Sequence, residues 1–587
     1  MCGIFGYVSR DPRGASVVLE GLRFLEYRGY DSWGIAVVGD QEILSQKATG
    51  KIAGAHTDLP PSAVALGHTR WATHGGVTYA NAHPHLGCGR RFALIHNGIV
   101  ENHQALRLEL RSDHVFSSQT DTEVLVHLLE EEIESASDLT KALLAVFRRV
   151  EGLSAVAVVD AYTSEVAVAK NGSPVALGWA NDGVYLASDA NALIEHTRRI
   201  AFLEDGQAAG LSSNGVRLFE ARSGHELDLD WCEVTWDAQK AGLNGYAHFM
   251  DKEIHEQPRV VQEIAVEKQD RARDLASLIS RARDVYLIGC GSAHHAALSG
   301  RYMLSEVAGR GSTCAVASEM SLVYPQLSPE SLVIALSQSG ETIDVLDAVK
   351  GARERGATVA ALVNSEGSAL DRLADLSILL NCGPERCVLA TKSYTAQLAV
   401  LQLTAHALSF DVERGTDELR NAALRLQELL DRDSTRRVID EVARRTGDHE
   451  HLFILGRHRN YPLALEAALK IKEVGYMHAE GFAAGELKHG VIALVTPGTP
   501  CFILAPDSDF RREALAAAAE VRARGAFTVG FSPEDNADFD ITIKTTDFAS
   551  APYEIAGASQ LLAYRLALLR GCDPDKPRNL AKSVTVR

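Results

Sequence analysis

The sequence predicts an α/β protein: stacked antiparallel sheets with helices outside them, followed by two doubly wound parallel sheets. Three observations carry this. Residues 1–240 hold many short strand-like runs and few helical patterns, the mixture expected of layered antiparallel sheets. After about residue 260 the cadence changes to strand, loop, helix, which argues for parallel strands with crossover helices. That cadence runs twice, over about 260–420 and 435–575, and reads as a degenerate internal repeat.

Taken in order, the first region offers the strands "GIFGYV", "WGIAVV", "AVALGHTRW", "RFALIHNG", "SAVAVVD", "EVAVAK" and "GVYLAS", with helical patterns at 16–27, 102–111, 121–134 and 139–149. The stretch 230–258 has no strand or helix cadence until its end and reads as a linker. Beyond it, "DVYLIG" (284–289) precedes a helix from about 292, "SLVIAL" (331–336) a helix from about 342, and "TVAALV" (358–363) another. The second round is "HLFILG" (451–456), helix 462–474, "CFILAP" (501–506), helix 510–524, "FTVGFS" (527–532) and a last helix over 551–570. The expected division is 1–240, a linker at 241–260, one sheet unit at 261–425, a second at 426–575 and a tail at 576–587.

A formal charge of −18 over 587 residues argues against a nonspecific nucleic-acid binder and against anionic membrane surfaces. No apolar run is long enough to span a bilayer, and the N-terminus lacks the layout of a secretory signal. The nine cysteines are scattered with no CxxC pair, so neither a disulfide framework nor a zinc site is expected, and a reducing cytoplasm fits. "HPH" at 83–85 lacks partners at ligand spacing and reads as loop structure.

The chain opens "MCGIFGYVSR", a strand with a thiol directly after the initiator methionine. Removal of Met1 gives Cys2 a thiol and a free α-amine together, the equipment of an N-terminal nucleophile. The alternative is a small hydrophobe in a buried strand. An amide-cleaving thiol also needs an oxyanion hole and groups for the substrate's charged end. Asn97 and Gly98 in "HNG" fit the first need, Arg70 in "HTRWATHG" and Asp121 in "SQTDTE" the second. Each has an ordinary alternative: a turn, a surface ion pair, a helix cap.

In the second half, "SQSGET" places Ser337, Gln338, Ser339 and Thr342 between a strand and a helix, where hydroxyls and backbone N–H groups make an anion cradle or an ordinary capped turn. The glycine-rich turn "GCGSAHHA" is not a dinucleotide fingerprint. Lys470 and Glu473 share a helix face, alone the mark of a solvated ion pair, in a segment dense in titratable groups that also holds His478, Glu486, Lys488 and His489. Lys582 in "PRNLAKSVTVR" is an exposed tail lysine or an amine that condenses with a carbonyl.

"MCGIFGY", "LEYRGYDSWG", "HTRWATHG", "HPH", "HNGIVEN" and "SQTDTE", in this order, resemble the class II, N-terminal-nucleophile (Ntn) glutamine amidotransferase domain. "CGS", "SQSGET", "ATKSYTAQL", "ALKIKE", "AEGFAAGELKHG" and "PRNLAKSVTV" extend the resemblance over the whole chain to the isomerising glutamine:fructose-6-phosphate aminotransferases, whose second half holds two sugar-isomerase (SIS) subdomains. The resemblance implies a four-layer αββα Ntn-hydrolase domain followed by two SIS subdomains. It implies Cys2 as nucleophile, Asn97 and Gly98 as oxyanion hole, and Arg70, Trp71, Thr73, His74 and Asp121 around glutamine, with Trp71 as gate to an ammonia channel. Ser292, Ser337, Gln338, Ser339, Thr342 and Val388 would surround the sugar phosphate. Lys582 would form a Schiff base with the ketose, Glu473 would carry the proton between C1 and C2, and Lys470 would assist. His489 would open the sugar ring from the neighbouring subunit of a homodimer. Glutamine and fructose 6-phosphate are the implied substrates, glucosamine 6-phosphate and glutamate the products, with no metal and no organic cofactor.

Several positions depart from the family pattern: Trp33 where a small residue is usual, Ala293 and Ala390 where hydroxyls are usual, Leu389 where alanine is usual, and a terminal Arg587 where the family ends acidic. Those in the sugar pocket leave open a relative acting on another ketose phosphate. A phosphoribosyl amidotransferase lacks support, since "SQSGET" stands where paired acidic residues are needed. Cys2, Glu473 and Lys582 speak against a sugar-phosphate sensor.

Overall fold

The computed structural model describes residues 2–234, 243–546 and 549–585. It divides into two compact units, residues 1–240 with 583–587, and residues 241–582. Met1, Arg587 and the first two residues of the expected linker lie outside the described residues.

The first unit is built on an eight-stranded and a seven-stranded sheet, antiparallel throughout. Alternation along the strands makes four layers. In the strand Gly3–Arg13, Ile4 and Val8 join the apolar layer between the sheets, while Phe5 and Tyr7 pack with Val18 and Leu22 of the helix Ser16–Phe24. In the strand Phe92–Gly98 of the other sheet, Ala93 and Ile95 face inward, and Phe92 and Leu94 pack with the helices Glu123–Glu132 and Leu139–Phe147. The order is therefore αββα, as expected. Trp33 is absorbed into the outer core at 5% exposure.

The second unit carries two five-stranded parallel sheets. Across the first, the strands run Thr313–Val316, Asp284–Gly289, Ser331–Ser337, Thr358–Val363, Leu376–Leu379; across the second, His478–Ala483, His451–Gly456, Pro500–Leu504, Phe527–Ser532, Ile541–Lys544. Each sheet thus has the order 2-1-3-4-5 in its own strands, so the repeat read from cadence is a repeat of topology. One apolar core, from Met250 to Ala567, spans both sheets.

Two expected boundaries differ. The linker segment holds the start of the helix Phe249–Glu267, and the division at 425/426 falls inside the helix Val412–Asp431. The first was hidden because the buried face of that helix carries Lys252, Glu253 and Gln257, which erase the apolar periodicity, and Pro258 interrupts it. No helix among the described residues is long and apolar enough to cross a membrane.

Candidate functional site

In the first unit, the strand Gly3–Arg13 pairs with Ser62–Arg70, bringing Cys2 to the end of that strand. The Trp71 N–H donates to Cys2 Sγ at 3.3 Å, and the thiol faces Trp71 O at 3.6 Å. Burial pushes the thiol pKa up, opposed by the chain-terminal ammonium, the Trp71 N–H and Arg70. From the facing sheet, Asn97 Nδ2 donates to Cys2 O at 3.0 Å. His68 sets that direction: its Nε2–H donates to Asn97 Oδ1 at 3.1 Å and to His96 O at 2.9 Å, leaving the amide nitrogen turned to Cys2. Gly98 has φ +143°, and a Cβ there would meet Leu153 O at 2.0 Å.

Behind Asn97 lies a buried layer of imidazoles. His68 stacks on His83 at 4.1 Å, His83 meets His85 edge-on, and His96 bridges Thr122 and Ser154. Burial lowers the pKa of all four, His68 and His85 to about 3, so they act as neutral hydrogen-bonding groups. "HPH" is thus part of the wall that holds Asn97.

The loop after Trp71 is folded by Arg70, which is 3% exposed and donates to the carbonyls of His74, Gly75 and Gly76. It is not a surface ion pair. Asp31 accepts from the Ala72 N–H at 2.9 Å, and Asn81 links Gly76 O to the Gln119 N–H. Asp121 is 4% exposed and accepts from the Val100 N–H at 2.7 Å, two residues before the helix Glu123–Glu132, so it is no helix cap. Thr73 is exposed, His74 is half-buried with its ring 5.5 Å from His103, and Trp71 meets Tyr30 edge-on.

In the second unit, the topological switch point of the first sheet lies between Asp284–Gly289 and Ser331–Ser337, where the crossovers leave in opposite directions and doubly wound folds bind ligands. Both expected loops are there. Ser292 opens the helix Ser292–Ala308. Ser337 Oγ accepts the Gly340 N–H at 3.0 Å and lies 3.3 Å from Thr342 Oγ1, and Ser339 Oγ accepts the Glu341 N–H. The hydroxyls thereby gather before the helix Ile343–Arg353, with Gln338 half-buried among them.

The helix Tyr461–Gly475 adds Glu466, Lys470 and Glu473 to the neighbourhood of Ser292. Lys470 Nζ is 2.7 Å from Glu473, 2.9 Å from Ser292 Oγ, 3.4 Å from Glu466 and 3.4 Å from Ala390 O. Ser292 Oγ and His295 Nδ1 each donate to Glu466 at 2.8 Å. At 1% exposure Lys470 is no solvated ion pair. Burial disfavours its charge, but Glu466 and Glu473 outweigh that and raise its pKa.

Lys582 is buried rather than exposed, donating to Glu385 Oε2 and, at 2.9 Å, to Leu389 O. Glu385 also accepts from Thr391 and Ser393, and although burial raises its pKa, Lys582 and these donors bring it to about 2. Glu253 shares Thr391 Oγ1 with it; burial and the charge of Glu385 lift Glu253 to about 7. Val388 is buried, its N–H donating to Asp575 O.

Lys470 and Lys582 thus meet on the segment 385–391, and Glu473 and Ser292 join them through Lys470. His489 is exposed on the turn Ala484–His489 and makes no hydrogen bond or ion pair to that cluster among the described residues. Sequence reasoning did not single out His68, Glu253, His295, Glu385 or Glu466. Of these Glu466 had a local signal, standing four residues before Lys470 and seven before Glu473 on one helix face.

The glutamine amidotransferase domain family matches residues 52–212, and the SIS domain family matches 278–407 and 448–551. The glutamine–fructose-6-phosphate aminotransferase (isomerising) of Pyrococcus horikoshii is 39% identical over 601 residues, covering 100% of both chains. That of Symbiobacterium thermophilum is 40% identical over 613 residues, again covering 100% of both. Among solved structures, the C-terminal domain of the glucosamine-fructose-6-phosphate aminotransferase from Francisella tularensis superposes with a TM-score of 0.53 at 28% identity, covering 57% of this chain and 99% of that one.

Proposed function

The chain belongs to the isomerising glutamine–fructose-6-phosphate aminotransferases, and on that premise we propose that it releases ammonia from glutamine and uses it to convert fructose 6-phosphate to glucosamine 6-phosphate. The observation that carries this reading is the buried cluster in the second unit: two lysines and four carboxylates within one network, beside a hydroxyl-rich loop at a sheet switch point.

In the first unit, with Met1 removed, the α-amine of Cys2 takes the thiol proton. The thiolate then attacks the glutamine side-chain carbonyl carbon. Asn97 Nδ2 and the Gly98 N–H stabilise the oxyanion, and Asn97 enters the step already aimed by His68. The C–N bond breaks, nitrogen leaves as ammonia with the proton from the α-ammonium, and water hydrolyses the thioester to glutamate. Asp121 and the loop ordered by Arg70 receive the charged end of glutamine, and Trp71 gates the ammonia.

In the second unit, Ser337, Gln338, Ser339 and Thr342 anchor the phosphate. Lys582 passes a proton to Glu385, its amine adds to C2 of the open ketose, and the C2 oxygen leaves as water with that proton, giving a Schiff base. Ammonia displaces the lysine to leave a C2 imine. Glu473 removes a proton from C1 and returns it to C2, while the C1 hydroxyl proton passes to the imine nitrogen, so that C2 ends as the amine and C1 as the aldehyde. Lys470, held charged by two carboxylates, orients Glu473 and faces the sugar oxygens. Ala390 serves through its backbone carbonyl, a contact to Lys470 that needs no side-chain hydroxyl. This reading includes a homodimer in which His489 reaches the partner's sugar, and a cytoplasmic setting.

The test uses glutamine labelled with nitrogen-15 at the side-chain amide. Labelled glucosamine 6-phosphate and one glutamate per amino sugar are expected. Glutamate formation with fructose 6-phosphate left unaminated would overturn the reading.

A further inference from the structure

Four side chains that the proposed reaction does not use point at one another in the first unit. Cys88 sits in the turn after the short strand His85–Leu86, His114 in the loop that follows the helix His103–Glu109, and His127 and Glu130 one turn apart on the helix Glu123–Glu132. Cys88 Sγ lies 3.6 Å from His114 Nδ1 and 3.6 Å from His127 Nδ1. Glu130 Oε2 lies 3.0 Å from His127 Nδ1 and 3.3 Å from His114 Nδ1. All four ligand atoms fall within 4.8 Å of one another. We propose that Cys88, His114, His127 and Glu130 bind a zinc ion.

Four of the six separations between ligand atoms lie close to those of a tetrahedron. Bonds of about 2.3 Å to sulfur, about 2.05 Å to nitrogen and about 2.0 Å to oxygen put sulfur and nitrogen ligands about 3.55 Å apart, and nitrogen and oxygen ligands about 3.3 Å apart. The ligand set combines a soft thiolate, two borderline imidazoles and one hard carboxylate, a mixture that suits zinc among the common divalent ions. A thiolate and a carboxylate neutralise its charge.

The outer atoms agree. His114 turns its Nε2 to Glu131 Oε1 at 3.1 Å, the carboxylate partner that orients a metal-binding imidazole. That contact requires a proton on Nε2, which leaves Nδ1 of a neutral ring as a lone pair aimed at the cluster. Glu130 accepts from the backbone N–H of Gly89, and its Oε1 packs so closely on Gly87 that a Cβ there would meet it at 2.4 Å. Its Oε2 is the oxygen turned to the cluster.

Four protein ligands close the coordination sphere, so the role is structural. The ion would clip the turn 87–90, the loop 110–116 and the helix 123–132 together. That helix starts two residues after Asp121, and its first residue, Glu123, holds Ser117 and Ser118 through both hydroxyls and both N–H groups. Zinc would therefore stiffen the segment that carries Asp121.

The experiment uses the full chain, purified without a polyhistidine tag or chelator. Elemental analysis should find about one zinc per chain. Replacement by cobalt(II) should give the visible bands of a tetrahedral ion and a near-ultraviolet thiolate-to-cobalt band. Cys88→Ser should remove the thiolate band, and His127→Gln should lower zinc content at least about tenfold. Zinc or cobalt content below about 0.1 per chain after reconstitution of the wild-type chain would overturn the proposal. So would a cobalt spectrum that Cys88→Ser leaves unchanged.

Discussion

Lys582 and Glu385 form a buried ion pair, their side chains 4% and 0% exposed. The pair sits beside a second lysine: Lys582 donates to Leu389 O, and Lys470 to the next carbonyl, Ala390 O. Consecutive backbone oxygens therefore hold the two amines on which the proposed sugar chemistry depends. Removing one partner of such a pair leaves a buried charge and costs about 3–5 kcal/mol.

Lys582→Arg keeps a cation against Glu385 but cannot condense with a ketose. The variant is expected to fold and to hydrolyse glutamine, while forming no glucosamine 6-phosphate. Borohydride with fructose 6-phosphate should trap an adduct on Lys582 in the wild type and none in the variant, read by peptide mass spectrometry. An adduct elsewhere would reassign the amine. Glu385→Ala, by contrast, should lower stability by roughly 3 kcal/mol through the unpaired ammonium.

Glu253 makes stability depend on pH in a stated direction. Its folded pKa of about 7 lies above the ordinary 4.5, so the folded chain binds more protons than the unfolded chain between those values. The neutral carboxyl's advantage is present below 4.5 and is lost as pH rises through 7. Glu253→Gln keeps an acceptor for the Cys387 N–H and never charges. Relative to wild type it is expected to gain about 1–3 kcal/mol at pH 8 and little at pH 5, measured by denaturant unfolding. A gain that is equal at both pH values would refute the assignment.

Asn97→Ala removes the amide that donates to Cys2 O in the structure and, in the proposed reaction, to the oxyanion. Glutaminase kcat should fall about 10²–10³-fold with little change in KM, as for other oxyanion-hole donors. The fold should persist, because the alanine leaves the strand Phe92–Gly98 and its pairing intact. A change confined to KM would make Asn97 a binding residue instead.

Gly340 holds the hydroxyl loop at φ +68°, and a Cβ there would meet Ser368 Oγ at 2.0 Å. Gly340→Ala must displace the loop as well as adopt a left-handed backbone, which costs about 1–2 kcal/mol. Fructose 6-phosphate should bind at least about tenfold more weakly by calorimetry, with glutaminase activity unchanged. Equal affinity would place the phosphate elsewhere.

Local order was legible in the chain because burial acts at short range. The run "GIFGYV" alternates between two cores and forms a strand, and the patterns at 16–27 and 139–149 became the helices Ser16–Phe24 and Leu139–Phe147. Where burial is not one-sided, the pattern vanishes. The helix Lys392–Leu408 is buried nearly all round, and Phe249–Glu267 buries Lys252, Glu253 and Gln257 against partners that no local window contains. The motifs named Cys2, Lys470, Glu473 and Lys582, since their spacing is written along the chain. Their partners were decided only by tertiary approach: His68 reaches Asn97 from the facing sheet, and Glu385 meets Lys582 across 197 positions. Scattered cysteines without a CxxC pair gave no sign of a metal site. Cys88 reaches His114, His127 and Glu130 because a turn packs on a helix 39 positions further along. Periodicity encodes which side of an element is dry, but the meeting of two elements depends on the whole packed chain.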